Sequence, residues 1–277
     1  MTKPKETERG FKEEEYYGWR CAENMVGKYL DGCMQAYSYD SVYNNFKKQG
    51  SYGYILEHVP PELGGRYLHA IHNHNPAILD KIDKFLINDQ IGSPNQYKFN
   101  MVDRPDQPIV ISPTTARYMK VLSDLTTLFG SLEGMNIVEI GGGYGGLSLI
   151  ISKEFKFANY YDVDLFEPGK LASKYCRGSH KIDNFHVLTP EQLEQLDNIE
   201  IDLVISNYAF SECNYETQDV YIEKILSKAK RGYVTHNNSE ERRNRTKSMI
   251  QDYSNFKVFD HDLCKKKHPI FTWGSIE

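Results

Sequence analysis

From residue 112 onward, short apolar runs alternate with stretches in which apolar residues recur at helical spacing. That alternation predicts a parallel sheet with helices on both faces. Ser112-Pro113-Thr114 opens a helix carrying Met119, Leu122, Leu125 and Phe129 on one side, and Gly130 lies where it would end. Residues 137–140 are the first predicted strand, 147–151 a crossover helix, and 158–162 the second strand. Residues 185–188 make a third strand and 201–207 a fourth, nearly continuous in apolar residues as an interior parallel strand should be. Residues 215–229 are helical by period, 232–236 form the fifth strand, and 240–253 another helix. Residues 256–260 and 270–273 close the sheet as a pair.

The first 110 residues read differently. Strand signals are few, tyrosines are many, histidines cluster, and helical stretches such as 77–87 are short. A mainly helical N-terminal cap is expected over residues 1–106. Pro105, Pro108 and Pro113 punctuate the passage into a second domain over 107–277. There is no internal repeat.

The first predicted strand ends in Glu139 and runs into Gly141-Gly142-Gly143-Tyr144-Gly145-Gly146. So many glycines in a row are expected where backbone must adopt positive φ or come close to a ligand. Gly141, Gly143 and Gly146 satisfy the G-x-G-x-x-G spacing of a dinucleotide site. Glu139 argues against that reading, because a carboxylate would repel a pyrophosphate and attract an ammonium group.

The net charge of -5 and pI near 6.0 oppose a broad phosphate-binding surface, so nucleic acid is not an expected partner. Arg242-Arg243-x-Arg245 reads as the solvated face of a helix. The five cysteines are odd in number and include no C-x-x-C pair, which fits reduced thiols. Residues 1–15 are rich in Lys and Glu and fit neither a signal peptide nor an anchor, and no apolar run approaches the ~20 residues of a membrane helix. The expectation is a soluble cytoplasmic protein with no membrane partner, with homo-oligomer formation left open.

Glu139-x-Gly141-x-Gly143-x-Gly145 resembles the acid-and-glycine motif of the class I S-adenosylmethionine-dependent methyltransferases. A narrower resemblance, to a family of sugar O-methyltransferases, covers about residues 112–274. It rests on Ser112-Pro113-Thr114-Thr115-Ala116-Arg117-Tyr118, the glycine loop, Tyr161-Asp162, Ile205-Ser206-Asn207-Tyr208-Ala209-Phe210-Ser211-Glu212 and Phe271-Thr272-Trp273-Gly274, with Gly64-Gly65-Arg66-Tyr67 upstream. One departure is Val163-Asp164, where the family would place Leu-Pro after the acid. The resemblance implies a Rossmann-like fold, a mostly parallel seven-stranded sheet with a final antiparallel hairpin, and S-adenosyl-L-methionine as cofactor. It implies methyl transfer to the hydroxyl of a sugar, carried on a nucleotide. The alternatives are a methyltransferase of another small molecule and a non-catalytic methyltransferase-like interaction module.

Site residues follow from the strand ends, since ligands bind beyond the carboxyl ends of an open parallel sheet. The resemblance implies that Glu139, Gly141, Gly142, Gly143, Tyr144 and Gly145 surround the amino-acid part of the cofactor. Asp162, 23 positions after Glu139, is expected at the ribose, with Asp164 as competitor; Leu188 flanks the adenine and Asn207 contacts cofactor or acceptor. His236, ending the fifth strand, is the first candidate for general base and Glu212 the second. Arg66 and Arg117 are candidate anion contacts, with Tyr67, His72 and Tyr208 around the acceptor. His58, His69, His72 and His74 lack the spacing of a ligand set, and no metal is expected.

Overall fold

The computed structural model describes residues 23–101, 104–237, 239–260 and 268–276; the reading of residues 1–15 lies outside these. The described chain opens with helices α1 (Glu23–Ser38), α2 (Asp40–Tyr43), α3 (Gly50–Ile55), α4 (Pro61–His74) and α5 (Pro76–Leu79). The helix expected over 77–87 is only α5 followed by two 3-10 turns, Ile82–Lys84 and Leu86–Asp89. The cap is not helical throughout either: β1 (Tyr97–Met101) and β2 (Arg104–Ile111) form an antiparallel hairpin, and the expected boundary at Asp106 falls inside β2. Prolines mark edge strands as readily as linkers, and Pro105 and Pro108 lie within β2.

α6 (Pro113–Phe129) begins where expected. The Ser112 hydroxyl accepts from the Thr115 amide at 3.1 Å, Pro113 fills the first turn, and Gly130 ends the helix at φ 71. Buried Asp89 fastens the cap to this N-terminus. Its carboxylate accepts from the Ser112 amide (2.7 Å), the Ser112 hydroxyl (2.7 Å) and the Thr115 hydroxyl (2.6 Å), placing negative charge where the helix dipole favours it.

Then follow β3 (Asn136–Ile140), α7 (Gly146–Ser152), β4 (Asn159–Val163), α8 (Phe166–Ser173), β5 (Phe185–Leu188), β6 (Leu203–Asn207), α9 (Ala209–Glu212), α10 (Tyr215–Lys224), β7 (Gly232–Thr235), α11 (Glu240–Ile250), β8 (Lys257–Asp260) and β9 (Pro269–Trp273). The sheet order is β5-β4-β3-β6-β7-β9-β8, with β9 antiparallel to both neighbours. This is the expected Rossmann-like methyltransferase architecture with its closing hairpin.

Alternation along the strands divides the core. Ile137 packs with the cap, in one cluster that includes Phe46, Tyr52, Tyr67, Leu147 and Tyr160. Val138 and Ile140 face the other way, onto Val204, Phe210, Phe271 and Trp273. The cap therefore shares its core with one face of the sheet. Among the described residues no helix is long and apolar enough to cross a membrane.

Candidate active site

The glycine loop takes the conformation that glycine permits. Gly141 and Gly143 sit at φ 77 and φ 64. A Cβ at Gly141 would lie 2.1 Å from the Ala209 Cβ, and one at Gly142 would lie 2.5 Å from an Asp162 oxygen. The loop is held down by the acids at the end of β4 and just beyond it: Gly142 N donates to Asp162 Oδ1 (3.0 Å) and Gly143 N to Asp164 Oδ2 (2.8 Å).

Above it is a cavity of ≈ 300 Å³ at the carboxyl ends of β3 and β6. Gly141, Gly143, Asp164, Leu165, Asn207 and Ala209 line the sheet side. The cap supplies the opposite wall from Tyr29, Ile55, Leu56, His58, Val59, Pro60, Leu63 and Tyr67. Arg117, Tyr208, Glu212, Asn237 and His268 add most of the remaining polar surface.

Burial sets the electrostatics. Glu139 and Asp162 are in register on adjacent strands, with Asp164 two positions on. Burial pushes Glu139 up to about 7 even though Tyr160 donates to its Oε2 at 2.7 Å. Burial raises Asp164 to about 6 against the bonds from Gly143 and Leu165, and Asp162 is held well above the usual carboxylate range by burial and by Asp164. Three carboxyl groups crowded in this way favour a cationic ligand. Glu212 is also pushed up to about 7 by burial, and the Asn237 side-chain amide donates to its Oε1 at 2.7 Å. A carboxyl poised near neutrality and oriented by an amide suits proton transfer.

Arg117 places a buried guanidinium in the cavity wall, with its Nε lacking a hydrogen-bond partner and its cationic end 5.4 Å from the Tyr118 ring. Among the described residues no carboxylate lies within ion-pair distance of it. Tyr208 adopts φ 74 and ψ -35, a sparsely populated conformation that costs a non-glycine residue about 1–3 kcal/mol, and its hydroxyl lies 3.3 Å from His268 Nδ1. Strain of this kind is kept where surrounding structure over-determines it, as at ligand sites.

The structure brings Gly141, Gly143, Asn207, Glu212, Tyr67, Arg117 and Tyr208 together at the cavity. It does not bring His236 there. That ring is fully buried, with Nδ1 3.0 Å from the Asn237 carbonyl and Nε2 3.1 Å from the Thr246 hydroxyl. A carbonyl only accepts, so Nδ1 carries the hydrogen and Nε2 accepts from Thr246; the first contact stays within the chain just after β7, and the second ties that segment to α11. Tyr144 also points elsewhere: it is fully buried, receives a bond from the Asn88 amide at 3.0 Å and packs edge-on against Tyr175. Leu188 is buried in the far-face core, and Arg66 is exposed on α4, outside the cavity lining. Glu139, Gly142, Gly145, Asp162 and His72 do not line the cavity; Glu139 lies against Asn207 of the lining, and Asp162 holds the Gly142 amide of the loop.

Of Asp162 and Asp164, Asp164 reaches the cavity, because it shares the parity of Asp162 but sits two residues further, beyond the strand end. Parity plus that step was readable in the sequence. His268 and Asn237 were not selected, since neither lies in a motif. Among the described residues no three His, Cys, Asp or Glu side chains cluster to hold a metal ion.

No protein-family model matches the chain, and no curated protein is significantly similar to it. Solved structures resemble it in fold over part of its length. A provisionally assigned RNA methyltransferase from Pyrococcus horikoshii is 18% identical, with a TM-score of 0.45, over 59% of this chain and 85% of its own. A SAM-dependent methyltransferase from Aquifex aeolicus is 18% identical, TM-score 0.42, over 56% and 88%. An rRNA methylase from Streptococcus thermophilus is 16% identical, TM-score 0.41, over 53% and 90%.

Proposed function

We propose that this protein is an S-adenosyl-L-methionine-dependent O-methyltransferase whose acceptor is a small molecule, a sugar carried on a nucleotide. The observation that carries the reading is the cavity itself. It combines a positive-φ glycine floor that a Cβ would fill, Asp164 in the lining with the carboxyl groups of Glu139 and Asp162 behind it, suited to a cationic cofactor, and a wall from the cap that would enclose the acceptor. An enclosed site and a net charge of -5 fit a small acceptor better than a nucleic acid.

The residues fit the cofactor as follows. Gly141 and Gly143 let the backbone approach it, Asp164 accepts from the ribose hydroxyls, and Asn207 lies against Glu139 beside its amino-acid end. When bound, the cofactor supplies a methyl carbon already activated by a sulfonium. The protein's own part would be to orient the acceptor hydroxyl towards it and remove the hydroxyl proton, and positioning of this kind lowers a barrier by ~7–11 kcal/mol. Glu212, oriented by Asn237, takes the proton. Arg117 holds an acceptor phosphate, and Tyr67 and Tyr208 flank the sugar.

Calorimetric titration with S-adenosylhomocysteine, followed by nucleotide sugars, tests the proposal. Saturable cofactor binding that creates or tightens a nucleotide-sugar site is expected. No S-adenosylhomocysteine binding would overturn the assignment of the loop, and cofactor binding without any sugar-nucleotide response would overturn the acceptor.

A further inference from the structure

A second cavity, of ≈ 460 Å³, lies at the opposite edge of the sheet, where the chain passes from α7 into β4 and where it enters β5. Lys153, Lys156 and Lys181 line it. Among the described residues none of these three ammonium groups has a carboxylate within ion-pair distance. Glu154, next to Lys153 in sequence, is already paired with Lys81 and Lys84. The neighbouring acids are Asp183, in the lining, and Glu133, whose carboxylate accepts from the Lys156 amide at 2.9 Å.

His180 completes the polar lining. Its ring stands edge-on against Tyr175 at 4.6 Å, and its Nε2 is buried without a hydrogen-bond partner. Burial, together with Lys153 and Lys47, lowers it to about 4, so the ring is neutral and able to donate one hydrogen bond at neutral pH. Phe155, Phe157 and Ile182 give the cavity an apolar side.

We propose that this cavity binds a phosphate-bearing anion. Three ammonium groups with no carboxylate within ion-pair distance among the described residues line one hollow, and a multiply charged anion is attracted by each of them. Lysine serves phosphate as a point charge and needs no planar geometry. The buried Nε2 of His180 adds a directed contact at the inner side, and the chain as a whole is acidic, so the cluster is a local departure from its charge.

Calorimetry with inorganic pyrophosphate at low ionic strength tests this. Wild-type protein should bind saturably. The double variant Lys153→Ala/Lys181→Ala should weaken binding at least about tenfold, worth about 1.4 kcal/mol, and His180→Gln should weaken it by a smaller factor. Circular dichroism checks that each variant is folded. Arg117→Met, which alters the first cavity, should leave pyrophosphate affinity unchanged. Absence of saturable binding, affinity insensitive to the lysine pair, or loss of binding in Arg117→Met would each overturn the proposal.

Discussion

Replacing Gly141 with alanine probes the contact on which the glycine loop depends. Gly141 has φ 77, and its added Cβ would sit 2.1 Å from the Cβ of Ala209, the first residue of α9. Two penalties are separable. Left-handed backbone costs an alanine about 1–2 kcal/mol, and forcing one extra methyl into a packed contact costs about 1–3 kcal/mol. Gly141→Ala should therefore lower unfolding stability by about 2–5 kcal/mol. Ala209→Gly alone should cost about 1 kcal/mol as a helix-end glycine, yet in the double variant it removes the clashing methyl. Urea denaturation of the four proteins closes a double-mutant cycle, and the coupling should be favourable by at least about 1 kcal/mol. Additive losses would mean that the approach of the loop to α9 is not what excludes a side chain at position 141, and a loss below about 0.5 kcal/mol in Gly141→Ala would remove the strain argument as well.

Asp164→Asn should weaken S-adenosylhomocysteine binding about tenfold or more, the range of a bond to a charged acceptor, whereas Asp162→Asn should leave it within about twofold; the reverse ranking by calorimetry would return the ribose to Asp162. Glu139, raised to about 7, binds its proton more tightly folded than unfolded, so its contribution to stability is full below the unfolded value of 4.5 and is lost as pH rises through 7. Glu139→Gln removes that dependence, and the stability of variant minus wild type should rise between about pH 5 and pH 8 by at least about 1 kcal/mol; a flat difference in denaturation midpoints would refute it. Arg117→Met removes the guanidinium from the cavity wall and should abolish the nucleotide-sugar response while S-adenosylhomocysteine still binds; a nucleotide-sugar response retained in calorimetry would refute that role.

Much of the sheet was legible because its strands have short apolar runs ended by glycine or polar residues, and the loop because glycine marks positive φ directly. The hairpin at β1 and β2 was hidden: Tyr97, Lys98 and Asn100 are polar or exposed, and its prolines read as linker. At the site, a strand end identifies which residues approach the ligand edge but not which way the last side chain turns. His236 shows this, since its neighbours Thr246 and the Asn237 carbonyl come from packing that no motif encodes. Tyr144 shows the same, its ring taken by Asn88, Phe46 and Tyr175 from distant parts of the chain.

The two walls of the cavity come from separate stretches of chain. Residues 29–67 supply one, and strand-end loops beyond residue 117 supply the other. Changes in the first stretch can therefore alter what is accepted while the glycine floor and Asp164 stay as they are. Acceptor preference is in this sense transplantable: exchanging residues 55–63 for another sequence of the same length redraws the enclosing wall, with the clamp of Asp89 on Ser112 and Thr115 still anchoring the cap in place.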